Sequence, residues 1–236
     1  PAEPREWPSY LEHVKAFDLK AGDQIEIVRS GEVIPKFLRV EQAARQGHYV
    51  WPEHCPSCDH SLEFDGVRLK CLNHLICPAQ KSGFILNWMR AVGIDDISEK
   101  RLEQMLSLGL VQSAADLYRL TVEDFLKLPQ TKEKMAKKLH GNIQSSLPIP
   151  LPAFLNGLGI EGAGLRTWEK LLEHFFDLQA LLEARAEDLV AIDGFAEKSA
   201  EQIVQGLLAS RNFIDELATL QIQPLASPRR FAGGEG

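Results

Sequence analysis

The chain has 236 residues, enough for two or more compact units. Its 44% apolar and 25% charged residues are ordinary for a water-exposed protein, and no apolar run approaches the roughly 20 residues of a membrane span. With 26 basic against 33 acidic side chains the net charge is −7, which excludes wrapping of a polyanion by a uniformly basic surface.

Residues 1–10 are polar and Pro-rich and read as a tail. They show no basic region followed by an apolar stretch, so no signal peptide is expected. The first residue is Pro1, which fits a processed or excised fragment. Residues 11–50 read as a small β element. Asp23 to Arg29 alternates apolar and polar side chains after a tight turn at Ala21-Gly22-Asp23, and a second strand follows over 32–40. Two or three strands alone are marginal, so this piece is expected to be part of a larger barrel.

Residues 51–82 hold all four cysteines, spaced C-x2-C-x12-C-x5-C at Cys55, Cys58, Cys71 and Cys77. Four thiolates are what a closed tetrahedral zinc site needs. Pro56-Ser57 forms a tight knuckle in the first pair. Leu62, Phe64, Val67 and Leu69 flank Asp65-Gly66, a hairpin signal that would carry the second pair back to the first. The alternatives are two disulfides or four free thiols. Disulfides suit small secreted domains, whereas a chain this long can build a core without them. His54, His60 and His74 lie near the cluster and read as surface or supporting groups. Metal-binding thiols suit a cytoplasmic setting.

From residue 83 to about 222 the period becomes helical, beginning with Phe84, Ile85, Trp88 and Met89. Short helices are also expected at Ala114 to Tyr118, behind a Ser113 cap, and at Phe175 to Ala184. Four loosely similar units read as helix, short hairpin, helix. Their bends fall at residues 95–98, 129–132, 160–164 and 193–196. Three units carry a Glu-Lys pair as the second helix starts. Residues 223–236 read as a flexible, Gly-rich tail.

A bend between two helices leaves the second helix's first amides unpaired, at the positive end of its dipole. A phosphate fits there, and glycine lets backbone approach backbone. Such a contact reads no bases and needs few basic side chains. The candidate DNA contacts are Gly159, Gly162, Gly164 and Gly194, helped by Lys132, Lys134, Arg166 and Lys198. Charge favours the middle of the chain. Residues 121–150 carry five basic and three acidic side chains, whereas residues 161–220 carry five and twelve. The alternative is an interaction module whose glycines only stop helices.

The order of these elements resembles the C-terminal half of bacterial NAD-dependent DNA ligases. Residues 22–35 are similar to the end of that family's OB-fold domain. Cys55-Pro56-x-Cys58 and Cys71-x-Asn73-x-x-x-Cys77-Pro78-Ala79-Gln80 are similar to its zinc finger. Ala115-Asp116-Leu117-Tyr118, Leu158-Gly159-Ile160 and Glu197-Lys198-Ser199-Ala200 match its hairpin region. The departures are Asp95-Asp96-Ile97-Ser98 and Pro129-Gln130-Thr131-Lys132, where glycines are usual, and Ala196 for a second glycine.

The resemblance implies a mainly α fold, with a partial OB-like barrel, a four-cysteine zinc finger and four helix-hairpin-helix motifs along the minor groove. Its partner would be nicked double-stranded DNA, with no membrane. The family's Lys-x-Asp-Gly adenylation motif does not occur among these 236 residues. NAD would therefore act only in a parent enzyme, through a nucleotidyltransferase domain, and this chain should be inactive alone. The alternative is a stand-alone DNA-binding or interaction module built from ligase parts.

Overall fold

The computed structural model describes residues 14–30, 34–44, 51–64, 68–73 and 76–225. The chain forms two compact units, Pro1–Pro78 and Ala79–Gly236. In the first, β1 (Gln24–Ser30) pairs antiparallel with β2 (Ile34–Gln42). Gly22, at φ +96°, makes the preceding turn. Asp23 fixes that turn by accepting from the Lys20 and Ala44 amides at 2.9 and 2.7 Å. The expected alternation does not bury one face. Register shifts follow Gln24 and Glu26, and Ile25, Ile27, Val28 and Leu38 are exposed among the described residues. A two-stranded ribbon offers them no second layer.

β3 (Leu62–Phe64) and β4 (Leu69–Cys71) form the expected short hairpin, with Leu62 opposite Cys71. Its Asp65-Gly66 turn lies outside the described residues.

The second unit is helical. Four hairpins are formed by α1 (Pro78–Val92) with α2 (Glu99–Ser107), α3 (Val122–Leu126) with α4 (Glu133–Ser145), α5 (Leu151–Gly157) with α6 (Leu165–Leu171), and α8 (Ala186–Val190) with α9 (Glu197–Ala209). A 3-10 turn (Ala115–Arg119), α7 (Leu178–Glu183) and α10 (Arg211–Thr219) complete it.

The four second helices share one pattern, counted from their cap residues Ser98, Lys132, Gly164 and Ala196. Four residues on stand Leu102, Ala136, Trp168 and Ala200. Seven on stand Met105, Leu139, Leu171 and Ile203. All eight are buried. This 3.6-residue spacing is why each helix forms and which face it hides.

Two local expectations change. Ser113 is not a side-chain cap: its hydroxyl donates to Glu216 at 3.3 Å, and Asp116 instead receives the Gln112 and Ser113 amides. The helix expected from Phe175 starts at Leu178, because Asp177 caps it by accepting from the Ala180 amide at 2.8 Å.

Trp88 is the hub of the core. It lies edge-on to Phe154 and Phe213, with centroids 5.4 and 4.9 Å away, and its Nε1 donates to Tyr118 Oη at 3.1 Å. A Cβ on Gly157 would come within 2.7 Å of its ring. The chain after α10 also returns. The Leu225 amide donates to the Ile149 carbonyl and its carbonyl accepts from the Leu151 amide, so the order expected to end at 222 continues to Leu225. Among the described residues no helix is long and apolar enough to cross a membrane.

Gly157 and Gly141 make a paired test. Gly157→Ala should cost about 1–3 kcal/mol by overpacking against the buried Trp88 ring. Gly141→Ala, in α4 with nothing within 4 Å of the added methyl, should stabilise by about 0.5–1 kcal/mol. Thermal unfolding of the two variants should move in opposite directions.

Candidate metal centre and nucleic-acid interface

The cysteine cluster is built by local backbone hydrogen bonds. The Asp59 amide donates to the Cys55 carbonyl and the Cys55 amide to the His60 carbonyl, both at 2.8 Å. Asp59, at φ +57°, turns the chain. Asp is among the few side chains that tolerate this region. The Cys77 amide donates to the Asn73 carbonyl at 3.0 Å.

These turns and the β3–β4 pairing bring all four Sγ atoms within 4.8 Å of one another. Cys55 and Cys77 are 3.9 Å apart, and Cys58 and Cys71 3.6 Å. Sulfurs arranged tetrahedrally around a metal at about 2.3 Å would be about 3.8 Å apart. The donor set therefore fits a metal ion.

None of the four forms a disulfide. At Cys71 the Asn73 backbone hydrogen bond favours the thiolate, but desolvation and the neighbouring sulfurs outweigh it and push the thiol up to about 12. A cation among the sulfurs removes that repulsion. Exposed His54 places Nδ1 3.1 Å from the Asp59 carbonyl and so supports the turn. His60 is exposed, and His74 lies outside the described residues.

In the helical unit, each bend turns through a residue of positive φ two places before the cap: Asp96 (+66°), Gln130 (+58°), Gly162 (+80°) and Gly194 (+85°). The departures from glycine thus preserve the bend. In the later three hairpins the amide just before the cap donates to the carbonyl three residues earlier: Thr131 to Leu128, Ala163 to Ile160, and Phe195 to Ile192. The positive φ falls at the third position of this turn, as a type II turn requires, and Pro129 occupies the second, where proline is favoured. Hydrophobic anchors four residues before the cap, Ile94, Leu128 and Ile192, are buried.

Lys132, Gly164 and Ala196 make no side-chain cap bond, so the first amides of α4, α6 and α9 have no local side-chain acceptor at the cap. A Cβ on Gly164 would enter open space, whereas one on Gly159 would lie 3.2 Å from Asn87 Nδ2. Gly159 is thus a close-approach position beside Asn87, although exposed, and Gly164 faces outward. Asn87 Nδ2 also donates to the Gly157 carbonyl at 3.0 Å. Lys134, Arg166 and Lys198 occupy one position, two residues past the cap, and Lys100 is its counterpart in α2. All four are exposed and without an ion-pair partner among the described residues. By contrast Lys127 is paired with Asp124 at 2.7 Å. That ammonium, with the Thr121 amide, holds the Asp124 carboxyl down at about 2.

Sequence reading missed the position six residues past the cap. There Lys138, Lys170 and Gln202 reach a neighbouring bend. Lys138 Nζ is 2.8 Å from Asp96 Oδ2. Lys170 Nζ donates to the Asp193 carbonyl and lies 5.8 Å from the centre of the Phe195 ring. Gln202 Oε1 would be 3.7 Å from a Cβ on Gly162. Each contact joins the two hairpins of a pair, first with second and third with fourth. Aligning the four units on their cap residues would have exposed the position.

A mainly helical chain with four such bends carries a helix-hairpin-helix domain beside its four-cysteine cluster, and a family profile described as "Helix-hairpin-helix motif" matches residues 153–212. The chain is 39% identical over 217 residues to a DNA ligase of Coprothermobacter proteolyticus, covering 89% of this chain and 32% of the relative. It is 37% identical to a DNA ligase of Halorubrum lacusprofundi (86% and 28%) and 34% identical to one of Wolinella succinogenes (92% and 33%). The chain is related to the C-terminal half of DNA ligases, and spans about a third of the length of these curated relatives.

Gly194 is the most constrained bend residue. An added Cβ would lie 3.1 Å from Lys170 Nζ at a φ that L-residues rarely adopt. Gly194→Ala should therefore destabilise by about 1–2 kcal/mol. Urea denaturation should show a lower midpoint with an unchanged slope.

Proposed function

We propose that this chain is the DNA-binding portion of an NAD-dependent DNA ligase that seals nicks in replication and repair in the cytoplasm, with structural zinc at Cys55, Cys58, Cys71 and Cys77. One observation carries the DNA reading. Hairpins that leave helix amides without a side-chain cap also present an exposed cation two residues further on, at Lys134, Arg166 and Lys198, with no ion-pair partner among the described residues.

Gly162, Gly164 and Gly194 let a phosphate oxygen approach the backbone, Gly159 holds its bend against α1, and Lys132 adds charge at the cap. Such contacts grip the sugar-phosphate backbone without reading sequence. They also reconcile a net charge of −7 with a polyanionic ligand, because the attraction is local. Nick sealing and the use of NAD belong to the parent enzyme's nucleotidyltransferase domain. The residues described above hold the duplex.

The names of the relatives support this reading, as does the helix-hairpin-helix match. Thiolate chemistry supports zinc, which prefers four closed sulfur ligands in structural sites.

Two experiments test it. Binding to a fluorescent nicked duplex should weaken linearly in log affinity with log salt, with a slope of about −0.9 per phosphate neutralised. Salt-independent binding, or none at low salt, would overturn the reading. Metal analysis of protein purified without added metal should give about one zinc per chain. Cys58→Ser and Cys71→Ser should each lose most of it.

A further inference from the structure

We infer that the first hairpin is closed to phosphate and serves as an internal joint, so that backbone contact with DNA falls on the later hairpins. This rests on the DNA-binding reading above and divides its labour.

The first bend differs from the others in what fills it. Ser98 is a cap side chain turned onto its own helix, with Oγ accepting from the Arg101 amide at 3.3 Å. One of the amides that a phosphate would take is already occupied. The residue of positive φ is Asp96, so a carboxylate stands where the third and fourth hairpins have only hydrogen.

That carboxylate is held in place from α4. Lys138 Nζ lies 2.8 Å from Oδ2, and Asn142 Nδ2 donates to Oδ2 at 2.7 Å. Asn142 also donates to the Asp95 carbonyl at 3.1 Å, and Arg101 Nη1 donates to the Asp96 carbonyl at 3.1 Å. The Lys138 hydrogen bond, then that of Asn142, holds the Asp96 carboxyl below its usual range, so it remains ionised at neutral pH. An approaching phosphate meets a carboxylate fixed in its place, with the donors of Lys138, Asn142 and Arg101 already engaged.

The second hairpin presents the opposite surface. Residues 129–132 contain no acid, the cap is Lys132 with no side-chain bond, and α4 runs for 13 residues behind it. The counterpart of Asp96 is neutral Gln130. The pair is thus asymmetric. The second helix of hairpin two braces the bend of hairpin one and offers its own bend outward.

The equivalent lysines two residues past each cap give a direct test in the full chain. Lys100→Ala, Lys134→Ala and Lys198→Ala each remove one exposed cation. Nicked-duplex affinity would be measured across a salt series, with circular dichroism to confirm folding. Lys100→Ala should stay within about twofold of wild type with the same slope. Lys134→Ala and Lys198→Ala should each lose several-fold, with a slope shallower by about 0.9. A loss of affinity and slope in Lys100→Ala equal to that in Lys134→Ala would overturn the inference and leave the DNA-binding reading standing. No effect in any of the three would overturn the assignment of contacts. No salt-dependent binding by wild type would overturn both.

Discussion

The contact between the Trp88 indole and the bare backbone of Gly157 is the joint on which the helical unit depends. Trp88 lies in the first helix of the first hairpin and Gly157 ends the first helix of the third. The indole is wholly buried, with Phe154, Phe213 and Tyr118 also against it. It therefore ties together the first hairpin, the third hairpin, α10 and the 3-10 connector. Only hydrogen fits at 157, so helix propensity gives way to packing there. Asn87, one residue before Trp88, satisfies the Gly157 carbonyl that α5 leaves open.

Around that joint the same hairpin is used four times, and the constraint that repeats is conformational rather than chemical. Each bend needs a positive φ two residues before the cap. Glycine meets it twice, and Asp96 and Gln130 meet it at the cost of a less favoured backbone. The freedom to place a side chain there is what differentiates the copies. In the first pair Asp96 is latched by polar groups from α4, at Lys138 and Asn142. At the corresponding place in the second pair, Ile160 packs so close to Gly206 that a Cβ there would lie 2.5 Å from its side chain.

Much of this was legible in the residue order. The cysteine spacing identified the cluster because four sulfurs that close tetrahedrally leave little choice of geometry. The helical region was legible because apolar residues three and four apart announce a buried face. The β element was less so. Alternation at Asp23 to Arg29 signals a strand, but what covers Ile25 and Ile27 is not written in those residues. The departures from glycine at 96 and 130 leave the bends intact for a physical reason. The backbone requirement is a dihedral, and Asp or Gln can adopt it when neighbouring hydrogen bonds hold them. Lys138, Asn142 and Lys170 were invisible because their partners lie 23 to 47 residues away across a pair.

The pairing also distributes the aromatic residues in a useful way. Of the chain's four tryptophans, Trp88 lies in the first hairpin pair and Trp168 in the second, and both are fully buried. They differ in one respect: Trp88 donates its N–H to Tyr118, whereas the Trp168 N–H has no acceptor among the described residues. The first helix of the first hairpin and the second helix of the third thus each carry a buried native fluorophore, and the two differ in whether the N–H is hydrogen-bonded. With Trp168 replaced by Phe, the remaining buried signal in this unit would report on the joint where Trp88 meets Phe154 and Gly157 of the third hairpin. Loosening of that joint can then be followed by emission wavelength, with no label attached.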